Sequence, residues 1–283
     1  MQEVYDIEKK DVFKIYSKDM IVIAKKVILA PGRLGKLFLN NIANKMKIDY
    51  GKNNYVGEIG IIIEMPYNVF SSINNIYNDI KLKRKIDENN EIRTFCQNYR
   101  GLIRKCVYTI PNGKLASLDG SIMGKKTNTK SVNIAIRHRK NNIKDIQHFI
   151  KMINDVNKEN KPIVQSMESF LNNNSYYNFN EKYSTMRDYN IDNINNYLPY
   201  DTLNYIKKMI IDIDKMIPGF ANKDNIVYAP SFDLGCDRYK LSNNFETNIK
   251  GLYIGGDISG YFRGIMQSMI SGKIISDDIM KNS

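Results

Sequence analysis

Cysteine and histidine are scarce in this chain, and the few present are scattered. There are three cysteines, Cys96, Cys106 and Cys236, and two histidines, His138 and His148. No Cys-x-x-Cys pair occurs, which argues against a disulfide framework, a redox dithiol and a zinc site. Neither histidine has a second ligand or a cysteine close to it in the sequence, which disfavours a Cys–His dyad. The sequence therefore predicts no metal site and favours a reducing compartment.

Long hydrophobic runs are also missing. The first residues, MQEVYDIEKKDV, are charged from the third position and lack the apolar core of a signal peptide. The longest apolar runs, such as residues 59–65, are interrupted by Gly and Glu and are far shorter than the ~18 to 20 residues that span a bilayer. We therefore expect a cytoplasmic protein with no membrane partner.

Acidic residues are outnumbered by basic ones. The chain has 30 Asp and Glu against 42 Lys and Arg, a net charge of +12. Clustered Lys and Arg can bind polyanions, but the basic runs at 81–85 and 137–140 lack the interleaved aromatic residues that stack on bases. Nucleic acid is therefore a disfavoured partner. No P-loop, kinase or Gly-x-Ser-x-Gly pattern occurs, which argues against a different nucleotide enzyme.

The residues that are present describe a packed protein. A chain of 283 residues, 42% of them hydrophobic, can bury the core of one large domain or two smaller ones. Residues 3–29 have the pattern of β-structure, and Val27–Ala30 is a continuous apolar stretch that ends at Pro31-Gly32. Such a stretch is typical of a strand buried on both faces in a parallel sheet.

The middle of the chain, from about residue 35 to 222, reads as mixed helices and strands. Helices are predicted at KLFLNNIANKM, at residues 141–156 and at residues 201–217. In the last of these, apolar residues recur at three-and-four spacing, which is typical of a helix that packs on a core. Strands are predicted at 59–66, 92–98, 101–110 and 131–139. Residues 166–197 show no readable pattern.

Near the carboxyl end, the stretch GLYIGGDISGYFRGIMQSMISG at 251–272 predicts a strand, a glycine-rich turn and a helix over 263–280. This arrangement points backbone N–H groups and the positive end of a helix dipole at the turn, which suits an anion or an electron-rich ring. Asp257 would repel phosphate, and its carboxylate suits hydroxyl donors such as those of a ribose or ribityl chain. The alternative is tight packing of helix on sheet without a ligand.

Several short motifs resemble a known family. TNIKGLYIGGD, residues 247–257, resembles the second FAD motif of flavoproteins with two dinucleotide folds, and VILAPG, residues 27–32, resembles their linker motif with Pro in the Thr position. More narrowly, a series of motifs follows the order seen in an uncharacterised FAD-dependent dehydrogenase family of bacteria: APGRLG, RTFCQN, SLDG before SVNIAI, PIVQSMESFL, YLP, MIPGFA and GDISGYFRGIMQSMISG. The resemblance covers about residues 3–280 and implies an FAD-dependent oxidoreductase.

The resemblance also implies a cofactor site by matched position. Asp257 would bind ribityl or ribose hydroxyls of FAD, and Gly256 would let the backbone come close. The turn and helix start under the isoalloxazine would be formed by Gly260, Tyr261, Arg263, Gly264 and Ile265. N–H groups there stabilise negative charge at the N1/O2 edge of reduced flavin. Arg263 would add a fixed charge or point to solvent or substrate, and Gly32 would lie near the adenine-side crossing of the strands. No catalytic residue is identified, and NAD(P)H is a candidate electron donor.

One departure from the family pattern matters. Complete members begin with a strand, a Gly-x-Gly-x-x-Gly turn and a helix that hold the ADP pyrophosphate, whereas this chain contains no Gly-x-Gly. We expect an open apolar sheet edge next to Val27–Ala30 and Leu252–Ile254. Either a second polypeptide supplies the N-terminal FAD-binding half, or the chain is a truncated or decaying copy that binds FAD poorly or not at all.

The sequence pattern predicts a mixed α/β (α+β) fold, and the resemblance implies that both chain ends, residues 1–35 and 231–283, form an incomplete FAD-binding Rossmann-like domain. Residues 36–230 would be an inserted mixed α/β substrate-side domain, where Cys96 is a redox candidate or a buried structural cysteine. The predicted function is an FAD-dependent oxidoreductase, dehydrogenase-like, or its C-terminal portion, which transfers hydride or electrons on an unassigned substrate. The alternative is a non-catalytic truncated remnant or a basic binding protein that acts through an anionic partner.

Overall fold

The structure is a computed structural model that describes residues 3–51, 57–74, 79–110, 113–121, 127, 129–140, 151, 161–175 and 181–282. The strands are β1 Val4–Lys9, β2 Phe13–Ser17, β3 Ile21–Ala24, β4 Val27–Leu29, β5 Tyr50–Gly51, β6 Gly57–Pro66, β7 Lys83–Lys85, β8 Asn90–Tyr99, β9 Leu102–Ile110, β10 Gly113–Ser121, β11 Ser131–Lys140, β12 Ile163–Ser166, β13 Asn190–Ile191, β14 Ile226–Leu234, β15 Arg238–Tyr239 and β16 Leu252–Ile254. The described α-helices are α1 Lys36–Met46, α2 Ser71–Asn74, α3 Met167–Asn172, α4 Tyr200–Met216 and α5 Ile265–Lys281. The fold is mixed α and β, as the sequence predicts at that level.

The chain divides into two compact units. The first unit joins both ends of the chain, Met1–Asn54 and Gly235–Ser283, and the second is the middle, Tyr55–Leu234. The assignment of the chain ends to a cofactor domain and of the middle to a substrate-side domain stays a prediction.

The first unit begins with an antiparallel meander of β1, β2 and β3. Ile7 and Phe13 point into a core that also contains buried residues of α1. The edge strand β3 behaves differently, since Ile21, Val22 and Ile23 are 58%, 44% and 65% exposed. The meander therefore leaves an apolar edge strand at the surface.

The two apolar segments from opposite ends of the chain lie side by side in the first unit. Strand β4 pairs with β16 in parallel, with Ile28 opposite Tyr253 and Leu29 opposite Ile254. This confirms the predicted neighbourhood of the two strands. The expectation that Val27–Ala30 is buried on both faces is wrong at Ile28, which is 50% exposed. The reason is that no strand among the described residues pairs with the other side of β4. The open edge expected next to Leu252–Ile254 is wrong, because residues 245–247 pair with that side of β16 and all three strand residues are buried.

Helix α5 covers the Tyr253 side of this strand pair. Ile275 is fully buried with Tyr253 and Phe245, and the Tyr253 hydroxyl donates to Asp278 Oδ2 at 2.8 Å. The start of the same helix is exposed and apolar, with Ile265 and Met269 at 81% and 63% exposure. The helix is thus packed on the strand pair from Ser271 onward, and most of the residues before it are exposed.

The second unit is built on a seven-stranded sheet in the order β13-β12-β14-β6-β11-β8-β7. One face packs on α4, whose buried residues include Ile206, Ile210 and Ile213. The helix predicted at 201–217 is therefore confirmed as a packing helix. Ile103 and Leu118 of the β9–β10 hairpin are buried against the opposite face.

The described residues limit what can be said of one predicted helix and of membrane-spanning helices. The helix predicted at 141–156 lies, apart from residue 151, outside the described residues. Within the described part of the chain, no helix is long and apolar enough to cross a membrane.

Candidate functional site

The ends of β4 and β16 converge because the two strands are parallel and in register. Each strand is followed by a glycine with positive φ, Gly32 at 65° and Gly256 at 78°, a conformation that L side chains rarely adopt. A charged residue comes next in each case, Arg33 and Asp257. The pairing of two distant segments therefore brings one cation and one anion together at the common end of the sheet.

Arg33 and Asp257 form a two-point ion pair. The Arg33 Nε donates to Asp257 Oδ2, and Nη2 donates to Oδ1 at 3.3 Å. The two side chains are 22% and 23% exposed, so the pair lies at the surface of the fold and still touches solvent. The planar guanidinium fork matches the two oxygens of a carboxylate and fixes the direction of both.

The turn after Asp257 is tightly closed. Asp257–Ser259 forms a 3-10 turn in which the Ser259 hydroxyl donates to the Gly256 carbonyl at 2.7 Å. Gly260 ends this turn with φ 82°, and a Cβ there would lie 2.5 Å from the Asp237 carbonyl oxygen. Glycine is therefore required at 260 by both backbone angle and space. The Gly256 amide donates to Ser271 Oγ at 2.8 Å, which ties the turn to α5.

Helix α5 begins directly beside this turn. Gly264, with φ 116°, precedes its first residue and has no side chain to cap the helix, and the first turn contains no acidic residue. The first N–H groups of a helix have no partner within the helix and carry partial positive charge. The N–H groups at the start of α5 can therefore donate hydrogen bonds to a ligand or stabilise a negative charge on it.

An open cleft of about 520 Å³ lies at this helix start, lined by Asp257, Gly264, Ile265, Ser268 and Met269. The lining offers a carboxylate, the backbone of a glycine and a serine, and it has an apolar wall formed by the exposed side chains of Ile265 and Met269, one helical turn apart. Such a lining suits a ligand with a flat apolar part and hydroxyl groups.

The structure brings several of the residues named from the sequence to one place. Asp257, Gly264 and Ile265 line the cleft, Gly256 and Gly260 bound the turn beside it, and Gly32 lies at the end of β4. Tyr261 and Arg263 lie in the segment before α5 and are exposed, outside the cleft lining. The Tyr261 ring instead lies under the guanidinium of Arg238, 4.7 Å from its centroid.

Sequence reasoning missed Arg33, Ser268 and Met269 as site residues. Ser268 and Met269 follow from the helix period, because they lie one turn beyond Gly264 and Ile265. Arg33 could have been found only from the register of β4 and β16, which places it next to a residue 224 positions away. Among the described residues, no group of three or more His, Cys, Asp and Glu could hold a metal ion.

Comparison with known proteins gives little to place beside this geometry. No protein-family profile and no curated protein sequence matches the chain. The crystal structure of tetracycline destructase Tet(51) aligns over 98% of this chain with a TM-score of 0.34 and 11% sequence identity. The chain spans about half of that protein, 52% of its length. Similarity at this level shows neither a family nor a function.

Proposed function

We propose that this chain is part of an FAD-dependent oxidoreductase, in which both chain ends form an incomplete Rossmann-like cofactor domain. The observation that carries the proposal is the cleft at the common end of β4 and β16. It combines the Asp257 carboxylate, the uncapped start of α5 and an apolar wall within one small volume. The substrate is unassigned, and NAD(P)H is the proposed electron donor.

The residues of the cleft fit a flavin by the chemistry of their groups. Asp257 accepts hydrogen bonds from the hydroxyls of a ribityl or ribose chain, since an ionised carboxylate only accepts. Ile265 and Met269 are largely exposed and would lose water contact against a flat ring, which favours binding.

The helix start supplies the electrostatic part. The N–H groups of α5 place partial positive charge at the cleft, worth about 0.3 to 1 kcal/mol toward an anion at an exposed site. A bound flavin supplies the hydride or electron transfer, and the protein orients the ring and stabilises negative charge on it. Arg263 precedes this helix and would add a full positive charge near its start.

We further propose that a second polypeptide covers the open edge of the cofactor domain. The Val27 amide donates to the Gly251 carbonyl at 2.8 Å, and the Gly255 amide donates to the Leu29 carbonyl at 3.0 Å. The backbone groups of Val27 and Leu29 therefore point toward β16. Backbone groups alternate in direction along a strand, and Ile28 therefore presents its N–H and C=O on the other side. A partner that adds a β-strand there would pair these groups and cover the exposed Ile28 side chain.

The position of α5 supports this partner. Ile28 shares a sheet face with Tyr253, and α5 packs on Tyr253. A strand added beside β4 would therefore extend the sheet face on which α5 packs. The other edge of β16 is already paired, because the Ile254 amide donates to the Phe245 carbonyl at 3.0 Å and the Thr247 amide donates to the Leu252 carbonyl at 2.8 Å, which leaves the β4 edge for an added strand.

The test is to express the chain alone and together with the polypeptide encoded upstream, and to measure bound flavin by absorbance and by mass. We expect flavin with the co-expressed pair, and a loss of retention in Asp257→Ala. Asp224→Ala is the matched control, because Asp224 is an exposed aspartate of the second unit. Colourless protein in both preparations, with nucleic-acid retention that falls steeply with salt, would instead support a basic binding protein.

A further inference from the structure

Arg33 does not line the cleft, yet it holds the only charged side chain in the lining described above. Its fork contacts both oxygens of Asp257. Both partners start from rigid backbone: the Gly35 amide closes a turn on the Gly32 carbonyl at 3.1 Å, and the Gly260 amide closes another on the Asp257 carbonyl at 3.1 Å. The direction of the carboxylate is therefore set by two fixed turns and one guanidinium.

This ion pair has a small part in folding stability. Both side chains are about one-fifth exposed, and exposed pairs contribute little because water competes for each charge. Two hydrogen bonds from Arg33 to Asp257 fix the carboxylate more closely than the attraction of the two charges requires, since one hydrogen bond would be enough to pair them. A fork that orients both oxygens is the arrangement that a binding carboxylate needs.

The fork leaves Asp257 able to accept further hydrogen bonds. A carboxylate has about four acceptor positions, and the two contacts with Arg33 use one on each oxygen. The other positions on a carboxylate that borders the cleft are suited to two neighbouring hydroxyls of a polyol. A ring without a hydroxylated chain would gain nothing from them.

We propose that Arg33 is a positioning residue that acts through Asp257 and makes the cleft selective for ring ligands with a polyol chain. The inference rests on the proposed flavin site and deepens it. The proposal assigns the two parts of the ligand to different residues. Binding of the polyol chain depends on the Arg33–Asp257 pair, and binding of the ring depends on the start of α5 and its apolar wall.

The experiment compares riboflavin, which carries a ribityl chain, with lumiflavin, which has the same ring without it. Binding is measured by fluorescence titration of the flavin-free full chain, with the co-expressed partner where flavin requires it. Removing the pair should weaken riboflavin binding about tenfold, the loss expected for a hydrogen bond to a charged group. We expect this loss in Arg33→Ala and in Asp257→Ala, a smaller loss in Arg33→Lys, and lumiflavin binding within about twofold of wild type, since it makes no such hydrogen bond.

Two controls distinguish positioning from other roles. Arg84→Ala removes a more exposed Arg–Asp pair, Arg84–Asp212, in the second unit and should leave the binding of both ligands unaffected. The double variant Arg33→Ala/Asp257→Ala should bind riboflavin no worse than Asp257→Ala alone, because Arg33 acts through the aspartate.

Other results would overturn the proposed role of Arg33 or the proposed flavin site. Equal losses of riboflavin and lumiflavin in Arg33→Ala would mean a structural role, and additive losses in the double variant would mean direct contact of Arg33 with the ligand. Riboflavin binding unchanged in Arg33→Ala would remove the inference and leave the flavin site intact. A wild-type protein that binds neither ring, alone or with its partner, would remove the proposed function itself.

Discussion

Buried charge on the sheet of the second unit shows how single residues are stabilised in this fold. Glu64 on β6 is fully buried and accepts four hydrogen bonds from three residues. The Thr185 amide and hydroxyl donate at 3.0 and 2.6 Å, the Tyr228 hydroxyl at 2.9 Å and the Ser131 hydroxyl at 3.0 Å. Burial nevertheless raises the pKa of Glu64, because desolvation outweighs these bonds.

Glu64 should therefore make stability depend on pH. A raised folded-state pKa means that folding favours the protonated form, so its contribution is present below the ordinary pKa of 4.5 and is lost as pH rises through the folded value. We expect the unfolding free energy of the wild type, relative to Glu64→Gln, to be greater at acidic pH than at pH about 7.5. Urea unfolding at several pH values measures this. A difference that does not change with pH would contradict the prediction.

Cys96 should be chemically inert in the folded protein. Burial raises the pKa of its thiol to about 11, and the charge of Asp119 adds to the effect. At pH 7.5 roughly one thiol in a few thousand is then ionised, and only the thiolate reacts readily. We expect slow alkylation of Cys96 by iodoacetamide in native protein and rapid alkylation in urea, followed by mass spectrometry. Rapid labelling of the native protein would restore a redox role.

At the scale of elements, glycine is required in the turn before α5 and is not required inside the helix. Gly260 has φ 82°, and a Cβ at this position would lie 2.5 Å from a carbonyl oxygen. Gly272 lies inside α5, and a Cβ there would meet nothing within 4 Å. The same substitution therefore has opposite expected effects at two sites twelve residues apart.

Gly260→Ala should lower the unfolding free energy by more than about 1 kcal/mol, because the strained backbone and the close contact both cost energy. Gly272→Ala should raise it by roughly 0.5 to 1 kcal/mol, because alanine loses less chain entropy in a helix. Chemical unfolding of the two variants checks both signs. Flavin retention should fall in Gly260→Ala, whose turn carries Asp257. Equal effects of the two substitutions on stability would contradict this account.

Elements with strong periodicity could be predicted, and short ones could not. The apolar period predicts α4 to within one residue, 201–217 against Tyr200–Met216. In the described residues of 166–197, which exclude 176–180, the structure has α3, two 3-10 turns and the two-residue strand β13, all too short to show a period. These pieces are fixed by distant polar contacts, such as the Ile194 amide donating to Gln165 Oε1 at 2.7 Å. The exposure of Ile28 could not be predicted either, because it depends on what lies beside β4.

At the scale of the molecule, the first unit leaves three apolar features on its surface: the edge strand β3, the Ile28 side of β4 and the start of α5. Scattered exposed apolar residues are ordinary, whereas runs of them along a strand edge or a helix start indicate an interaction surface. The net charge of +12 opposes association of like copies over the same surface.

Binding of the proposed second polypeptide should therefore be measurable without flavin. We expect the fluorescence of an apolar dye such as anilinonaphthalene sulfonate to fall when the partner is co-expressed. Hydrogen exchange should slow in peptides that contain Ile28, because its amide gains an acceptor. Peptides from α4 in the second unit serve as the control and should exchange at the same rate. Unchanged exchange at Ile28 in the co-purified pair would mean that the partner binds elsewhere.

The joining of both chain ends in the first unit has a consequence for synthesis on the ribosome. Strand β4 emerges early, and its partner β16 follows only after more than two hundred residues have been translated. The middle unit has all its strands in one continuous stretch, so it can fold during translation. The apolar strand β4 stays unpaired during that time. Nascent chains should therefore need protection of that segment by a chaperone or by the proposed partner until β16 has been translated.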